Sequence, residues 1–75
     1  MKKIVIETKM SIRSVKDTIK KVTGKGCSSK FKRGQIYVYC SDHITDEQLI
    51  QICDKLSLEI ISKSGARATL RTISH

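Results

Sequence analysis

The apolar residues of this sequence alternate between the spacing of a helix and that of a strand, and this alternation constrains the fold more than any other feature. Apolar side chains recur at three- and four-residue intervals in two segments: Ile12, Val15, Ile19 and Val22, then Leu49, Ile52, Cys53 and Leu56. Residues 3–8, 35–41, 58–63 and 66–73 have β-branched runs or two-residue alternation, which predicts strands. A chain of 75 residues has room for one small domain. We therefore expect a single α+β domain, residues 1–75.

Both predicted helices have recognisable ends. Ser11 is placed as an N-cap and Gly24 as the residue after the last turn, which predicts a first helix at about 12–23. Thr45 and Gln48 have the spacing of a capping box, in which each side chain accepts a hydrogen bond from the backbone of the other residue. The second helix is therefore expected to begin directly after Thr45.

These elements predict a two-layer sandwich. Each helix has one apolar stripe, so both can cover one face of a single, mainly antiparallel sheet while the other face stays open. The order is β-α-β-α-β-β if residues 24–34 form a long loop. It is β-α-β-β-α-β-β if Phe31 lies in a short extra strand that pairs back through Arg33 and Gly34. The sequence leaves both orders open.

The last two strands are predicted to form a hairpin. A three-residue loop at 63–65 pairs Ile60 with Ala68 and Leu58 with Leu70, which keeps one face apolar. A two-residue turn at 64–65 mixes apolar and charged residues on each face, so the longer loop is favoured. The favoured register also places Glu59 between the two arginines of the last strand, where it offsets part of their charge.

The charges of the chain are segregated along the sequence. Eleven of the fifteen Lys and Arg residues lie in the first 34 positions, where only Glu7 and Asp17 oppose them. Residues 35–62 carry five acids against Lys55. Because solubility requires only dispersed charge, this clustering favours a surface that binds an anion, and a phosphate backbone is the commonest such partner. The alternative is a solvated, lysine-rich face.

The predicted function is a small basic nucleic-acid-binding module, for DNA or RNA, that contacts mainly the phosphate backbone. We expect phosphate contacts from the basic residues of the first helix and of residues 24–34, namely Arg13, Lys16, Lys20, Lys21, Lys25, Lys30, Lys32 and Arg33. A second surface is expected on the open sheet face, where unpaired bases can stack beside cations: Tyr37, Tyr39, Arg67 and Arg71. The two tyrosines alternatively fill a second core layer or a dimer interface.

Residues 33–39 resemble the RNP1 strand of RNA-recognition motifs in their Arg-Gly start and their aromatic-Val step, and differ from it at Gln35 and Ile36. The shorter element order is similar to that of Alba-type chromatin proteins and of the C-terminal domain of bacterial translation initiation factor three. Both of those families bind nucleic acid, so the likeness implies the same class of partner.

Other functions have weaker support in the sequence. No catalytic set, metal site or cofactor is predicted, because no base is placed to activate a cysteine and the acids near His43 are explained by a turn and a helix cap. An odd number of cysteines without a C-x-x-C pair fits a reducing compartment. No segment has the length of a signal-peptide core or a membrane span, so a cytoplasmic protein is expected.

A protein-partner module is the alternative function. In that interpretation the protein is a small regulator or inhibitor, and its basic face binds an acidic protein surface. A homodimer is a separate expectation, because a small core and an open sheet face both favour association.

Overall fold

The computed structural model describes residues 2–73, which form five strands and two helices. In chain order they are β1 (Lys3–Glu7), α1 (Ile12–Thr23), β2 (Ser28–Lys32), β3 (Gln35–Tyr39), α2 (Asp46–Leu56), β4 (Leu58–Ser64) and β5 (Arg67–Thr72). The extra strand near Phe31 is present, so the longer of the two predicted orders is confirmed. The alternative of one long loop over residues 24–34 is excluded, because positions 28–32 form a strand. Strand β2 also departs from the shorter order on which the likeness to Alba-type proteins was based.

The five strands form one mixed sheet in the order β2-β3-β1-β5-β4. Strand β1 pairs antiparallel with β3 and parallel with β5. The parallel pairing arises because α2 carries the chain across to β4 at the far edge, and the final hairpin then returns β5 beside β1. The predicted α+β class is confirmed. The sheet is mixed, with antiparallel pairing at its other junctions.

The core lies between the two helices and one face of the sheet. It contains the apolar stripe of each helix and the alternate residues of the strands: Ile4, Ile6, Val15, Ile19, Ile36, Val38, Ile44, Leu49, Ile52, Cys53, Leu56, Leu58, Ala68 and Leu70. Because neighbouring side chains of a strand point to opposite faces, the residues between these strand positions lie on the face that the helices do not cover. The sheet therefore has one covered and one open face.

The turn of the last hairpin is shorter than predicted. Ser64 pairs with Arg67, which leaves Gly65 and Ala66 as a two-residue turn. Gly65 has φ 58°, in the left-handed region that such hairpin turns require. The predicted three-residue loop at 63–65 is therefore wrong.

The register of this hairpin changes at a bulge. Ile60 lies opposite Leu70 instead of Ala68, and Leu58 lies opposite Thr72 instead of Leu70. Both predicted pairings are therefore wrong by two positions. The register shifts between Ile60 and Ser62, so one extra residue is accommodated in β4. Because of this extra residue, the hairpin can have a two-residue turn and still place Ile60 opposite Leu70. Without the bulge, the same turn would place Ile60 opposite Arg71.

The predicted limits of α1 are confirmed. The Ser11 side chain accepts a hydrogen bond from the backbone N–H of Ser14 at 3.2 Å. Gly24 has φ 77° and donates its backbone N–H to the carbonyl oxygen of Lys20 at 2.7 Å. A polar residue that caps the first turn and a left-handed glycine that ends the last one thus delimit Ile12–Thr23.

The capping box of α2 is also confirmed. The backbone N–H of Thr45 donates to Gln48 Oε1 at 3.0 Å, and the backbone N–H of Gln48 donates to Thr45 Oγ1 at 3.1 Å. The helix ends at Ser57, which adopts the left-handed conformation with φ 55° and ψ 50°. No glycine marks this end in the sequence, and β4 begins at the next residue.

Substitution at Ser57 is expected to stabilise the fold. A non-glycine residue in the left-handed region costs about 1 kcal/mol, so Ser57→Gly should raise the free energy of unfolding by roughly that amount. Gly24→Ala is the reciprocal variant. Its new Cβ meets no atom within 4 Å, so only backbone strain acts and stability should fall by about 1 kcal/mol. Urea titrations measure both changes, and a Ser57→Gly protein less stable than the wild type would contradict the expectation.

Candidate nucleic-acid interface

The open sheet face holds most of the charged and aromatic strand residues. By the pairing register they are Lys3, Glu7, Lys30, Lys32, Tyr37, Tyr39, Glu59, Arg67 and Arg71. Cross-strand pairing arranges them in rows. One row contains Tyr39, Lys3 and Arg67, and the next contains Lys30 and Tyr37. Each tyrosine therefore has one cation as a cross-strand neighbour, Lys30 for Tyr37 and Lys3 for Tyr39.

Lys3 lies against both tyrosines. Its Nζ is 5.8 Å from the centroid of the Tyr37 ring and 5.6 Å from that of Tyr39, within the range of a cation–π contact. The Tyr37 hydroxyl donates to Gln35 Oε1 at 2.8 Å. Tyr39 has no such bond among the described residues and is 43 % exposed. Lys3 thus contacts both rings, but a hydrogen bond also holds Tyr37, whereas Tyr39 remains partly accessible.

The two tyrosines have different roles in packing. Val5 is only 1 % exposed although it lies on the open face. Its cross-strand neighbours on that face are Tyr37 and Thr69. Tyr37 is itself half-buried, so the alternative of a small second core layer fits this residue, whereas Tyr39 is an exposed surface aromatic.

The acids of the open sheet face have polar partners on the same face. Glu7 Oε1 accepts a hydrogen bond from Gln35 Nε2 at 2.8 Å. Glu59 Oε1 accepts from Arg71 Nε at 3.1 Å and Nη2 at 2.9 Å. The expected offset of positive charge by Glu59 therefore falls on Arg71, its cross-strand partner. Within residues 2–73, four basic residues of this face form no ion pair: Lys3, Lys30, Lys32 and Arg67.

The hairpin of β2 and β3 brings a further cation to the edge of this face. Lys32 pairs with Gln35, so Arg33 and Gly34 form a two-residue turn. Both have positive φ, 53° and 78°, as the mirror-image turns of hairpins require. Arg33 is exposed at this turn. Apart from Lys25, the predicted phosphate-contacting residues of positions 24–34 are therefore held on a defined hairpin.

The basic residues of α1 belong to the other layer. Arg13, Lys16 and Lys20 are all exposed at helical spacing, and Lys21 is exposed in the last turn. The predicted first surface therefore divides into two. Its helical residues lie on the layer that covers the sheet, while its remaining cations, apart from Lys25, join the tyrosines.

Lys25 has a local partner. Its Nζ forms an ion pair with Asp42, which follows β3. The hydrogen bond and the positive charge of Lys25 lower the pKa of Asp42 below its usual value. Because Asp42 has a lower pKa in the folded protein, its ion pair stabilises the fold at neutral pH, and this stabilisation is lost as the pH falls through the pKa of Asp42. Both side chains are more than half exposed, so the contribution is small.

Sequence reasoning missed Lys3 as a site residue. The signal was present, because Lys3, Val5 and Glu7 alternate with the buried Ile4 and Ile6. Extending that alternation to the strand's first residue places Lys3 on the open face. Its position between two tyrosines, however, depends on the pairing of β1 with β3, which the spacing of residues does not specify.

Two other kinds of site find no support in the part of the chain that the structure describes. Within residues 2–73, His, Cys, Asp and Glu form no group of three or more that could hold a metal ion. Neither α1 nor α2 has the length and apolar character needed to cross a membrane.

Comparisons with known protein families, curated proteins and solved structures find no match for this chain. A functional assignment therefore depends on the chemistry of its own surfaces. The open sheet face combines aromatic rings, unpaired cations and partnered acids, and these groups can contact both the bases and the phosphates of a nucleic acid.

Proposed function

We propose that this protein binds nucleic acid through the open sheet face and the β2–β3 hairpin. Phosphates contact the cations Lys30, Lys32, Arg33 and Arg67, and an unpaired base stacks on Tyr39. The observation that carries the proposal is a pair of neighbouring tyrosines that each have a cation beside them in their cross-strand row, Lys30 beside Tyr37 and Lys3 beside Tyr39. The proposal makes the predicted second surface, on the open sheet face, the principal contact and adds the cations of the β2–β3 hairpin to it.

The charge of the helical layer favours the sheet over α1 as the principal contact. Helix α2 lies beside α1 and carries Asp46, Glu47 and Asp54 against the single base Lys55. Asp46 is paired with Lys63, so Glu47 and Asp54 are the acids that reduce the attraction of that layer for a polyanion within about one Debye length, near 8 Å at physiological salt. On the open sheet face both acids already accept hydrogen bonds. The α1 stripe is accordingly an auxiliary contact.

An unpaired strand fits this face better than a duplex. A base stacked on an aromatic ring contributes about 1–3 kcal/mol, but only if the base is free of its partner. In the free protein the Lys3 ammonium lies over the tyrosine rings. Cation–π contacts at exposed sites are worth about 0.5–1 kcal/mol. Stacking is the stronger interaction, so a base displaces the ammonium, which is then available to a phosphate.

Binding over a series of salt concentrations tests the proposed function. Fluorescence anisotropy should show that single-stranded DNA or RNA binds more tightly than duplex DNA of the same length. The logarithm of the association constant should fall linearly with the logarithm of salt, by about 0.7 for each phosphate contacted on a single strand. Absence of binding to all three at low salt would exclude the proposal, and a clear preference for duplex would exclude the stacking contact.

Substitution of Tyr39 provides a second test. Tyr39→Ala should weaken single-strand binding by about 5- to 150-fold, because it removes a stacking surface worth about 1–3 kcal/mol. Tyr39→Phe is the matched control, since it keeps the ring and removes only the hydroxyl. Equal losses in the two variants, or no loss in Tyr39→Ala, would contradict base stacking at this position.

An acidic protein surface is the second candidate partner. The specific observation in its favour is Phe31, which is 61 % exposed on the edge strand β2 beside two lysines. An exposed aromatic residue with flanking cations is a common anchor at protein interfaces. A pull-down with and without nuclease separates the candidates: a partner retained after nuclease treatment and lost in Phe31→Ala supports this function.

Self-association would compete with ligand binding if it used the same face. A homodimer through the open sheet face buries Tyr39 and removes it as a stacking surface. Light scattering over a concentration series, with and without an oligonucleotide, measures this competition. We propose a monomer as the binding species, so dissociation of dimers by the ligand agrees with the proposal and a ligand-bound dimer contradicts it.

A further inference from the structure

Two cysteines lie opposite each other where the β2–β3 pairing continues beyond its last regular pair. Ser28 is opposite Tyr39, so the next residues outward are Cys27 and Cys40. Their sulfur atoms are 2.8 Å apart. Both residues are half-buried, and both are free thiols. The pairing of the strands, and not chance proximity of loops, thus brings the two thiols together.

The backbone around this pair suits a covalent bond. The backbone N–H of Cys40 donates to the carbonyl oxygen of Lys2, at 2.8 Å, on the β1 side. In an antiparallel ladder the N–H and C=O of one residue point to the same neighbouring strand, so Cys40 and Cys27 form a non-hydrogen-bonded pair. The Cα atoms of such pairs are about 4.5 Å apart, and disulfides span about 4.4–6.8 Å between Cα atoms.

We propose that Cys27 and Cys40 form a reversible cross-strand disulfide in the presence of a small-molecule disulfide. The Cys27 thiolate attacks one sulfur of the small disulfide and releases one small thiol, which leaves a mixed disulfide on Cys27. The Cys40 thiol then loses its proton and attacks the Cys27 sulfur, which releases the second small thiol. Two protein thiols are oxidised and one small disulfide is reduced to two thiols.

The surroundings assign the order of these steps. Burial, reinforced by the hydrogen bond with Cys27, raises the pKa of Cys40 to about 12. Cys40 therefore stays protonated at neutral pH and acts second, when the mixed disulfide is already beside it. A cavity of about 210 Å³ is lined by both cysteines and by Lys25 and Asp42. This cavity gives a small disulfide access to the pair.

The bond would connect the open ends of the β2–β3 hairpin. It encloses residues 28–39, which include both strands and the Arg33–Gly34 turn. Strand β2 is at the edge of the sheet and pairs only with β3. A covalent link at its start therefore restricts fraying of that edge. This inference is independent of the proposed function, because it depends only on strand pairing and thiol chemistry.

Thiol trapping tests the proposal. The protein is equilibrated at neutral pH in buffers of oxidised and reduced glutathione, and the remaining free thiols are then alkylated in denaturant. Intact mass should show a monomer that has lost two hydrogens and has one alkylated cysteine, Cys53. Peptide mapping without reduction should link Cys27 to Cys40. A stable glutathione adduct with Cys40 still alkylated, or a bond that involves Cys53, would overturn the proposal.

The variants Cys27→Ala and Cys53→Ala provide the matched controls. Cys27→Ala should keep two alkylated cysteines in every buffer, whereas Cys53→Ala should oxidise like the wild type. Thermal unfolding supplies a second readout. Oxidation should raise the Tm of the wild type and of Cys53→Ala by about 12–24 °C, as expected for a bridge that closes a loop of this length. An unchanged or lower Tm after oxidation would show that the bond does not fit the native strand pairing.

Discussion

Replacing Lys30, Lys32 and Arg67 together with glutamine is expected to weaken binding of a single-stranded oligonucleotide by about 10- to 100-fold at low salt. Each lost phosphate contact should also reduce the slope of the salt dependence by about 0.7, so the slope should fall by about 2 for the triple variant. The three side chains form no ion pair among the described residues, so their removal leaves no acid without its partner. The two readouts therefore report loss of ligand contacts.

The matched control removes the same charge from the other layer. Arg13, Lys16 and Lys20 are also exposed, and their replacement with glutamine lowers the net charge by the same amount. This variant should lose the auxiliary contact of α1 and part of the general electrostatic attraction, so both its affinity and its slope should change less than those of the sheet variant. If the helix variant loses as much affinity and slope as the sheet variant, the α1 layer and not the open sheet face is the principal contact. Thermal unfolding confirms that both variants are folded.

Ile52→Ala is expected to lower the free energy of unfolding by about 2–5 kcal/mol, because truncating a buried isoleucine removes apolar contacts and leaves a cavity. Ile52 is 0 % exposed in the core between α2 and the sheet. A domain of 75 residues has a total stability on the order of 4–11 kcal/mol. The variant should therefore be only marginally stable, with a large decrease in the urea midpoint measured by circular dichroism.

Ile50→Ala is the control for the same helix and the same change of side chain. Ile50 is 53 % exposed, two residues from Ile52 on α2. Alanine has the higher helix propensity, so stability should change by less than about 0.5 kcal/mol at this exposed site. Comparable destabilisation by the two variants would mean that the covered face of α2 is not the one that the structure assigns.

The helices could be predicted closely because their signals are local. Ser11 and Gly24 delimit α1, and the Thr45–Gln48 capping box begins α2, through hydrogen bonds between residues three or four positions apart. The end of α2 could not be predicted in the same way. Ser57 adopts the left-handed conformation although a serine is not the residue that favours it. Its conformation is imposed by β4, which begins at the next residue and joins the sheet.

The strands were less predictable because their partners are distant in sequence. Residues 28–32 form β2 with one residue half-buried and four exposed, so no apolar alternation marks them. They are a strand because β3 offers an unpaired edge and the Arg33–Gly34 turn brings them to it. The bulge in β4 has a similar origin, since it adjusts the hairpin to a sheet face whose position is set by β1.

The sequence alone determined the two helices, the α+β class, and the concentration of positive charge in the first 34 residues. These properties depend on composition and on spacings of a few residues. Tertiary structure decided which cations share a surface. Lys30 and Lys32 lie on the face opposite α1, which also carries Tyr37, Lys3 and Arg67, because strand pairing aligns residues that are up to 64 positions apart. Sheet register is a non-local property, so net charge predicts a kind of partner but cannot locate the surface that binds it.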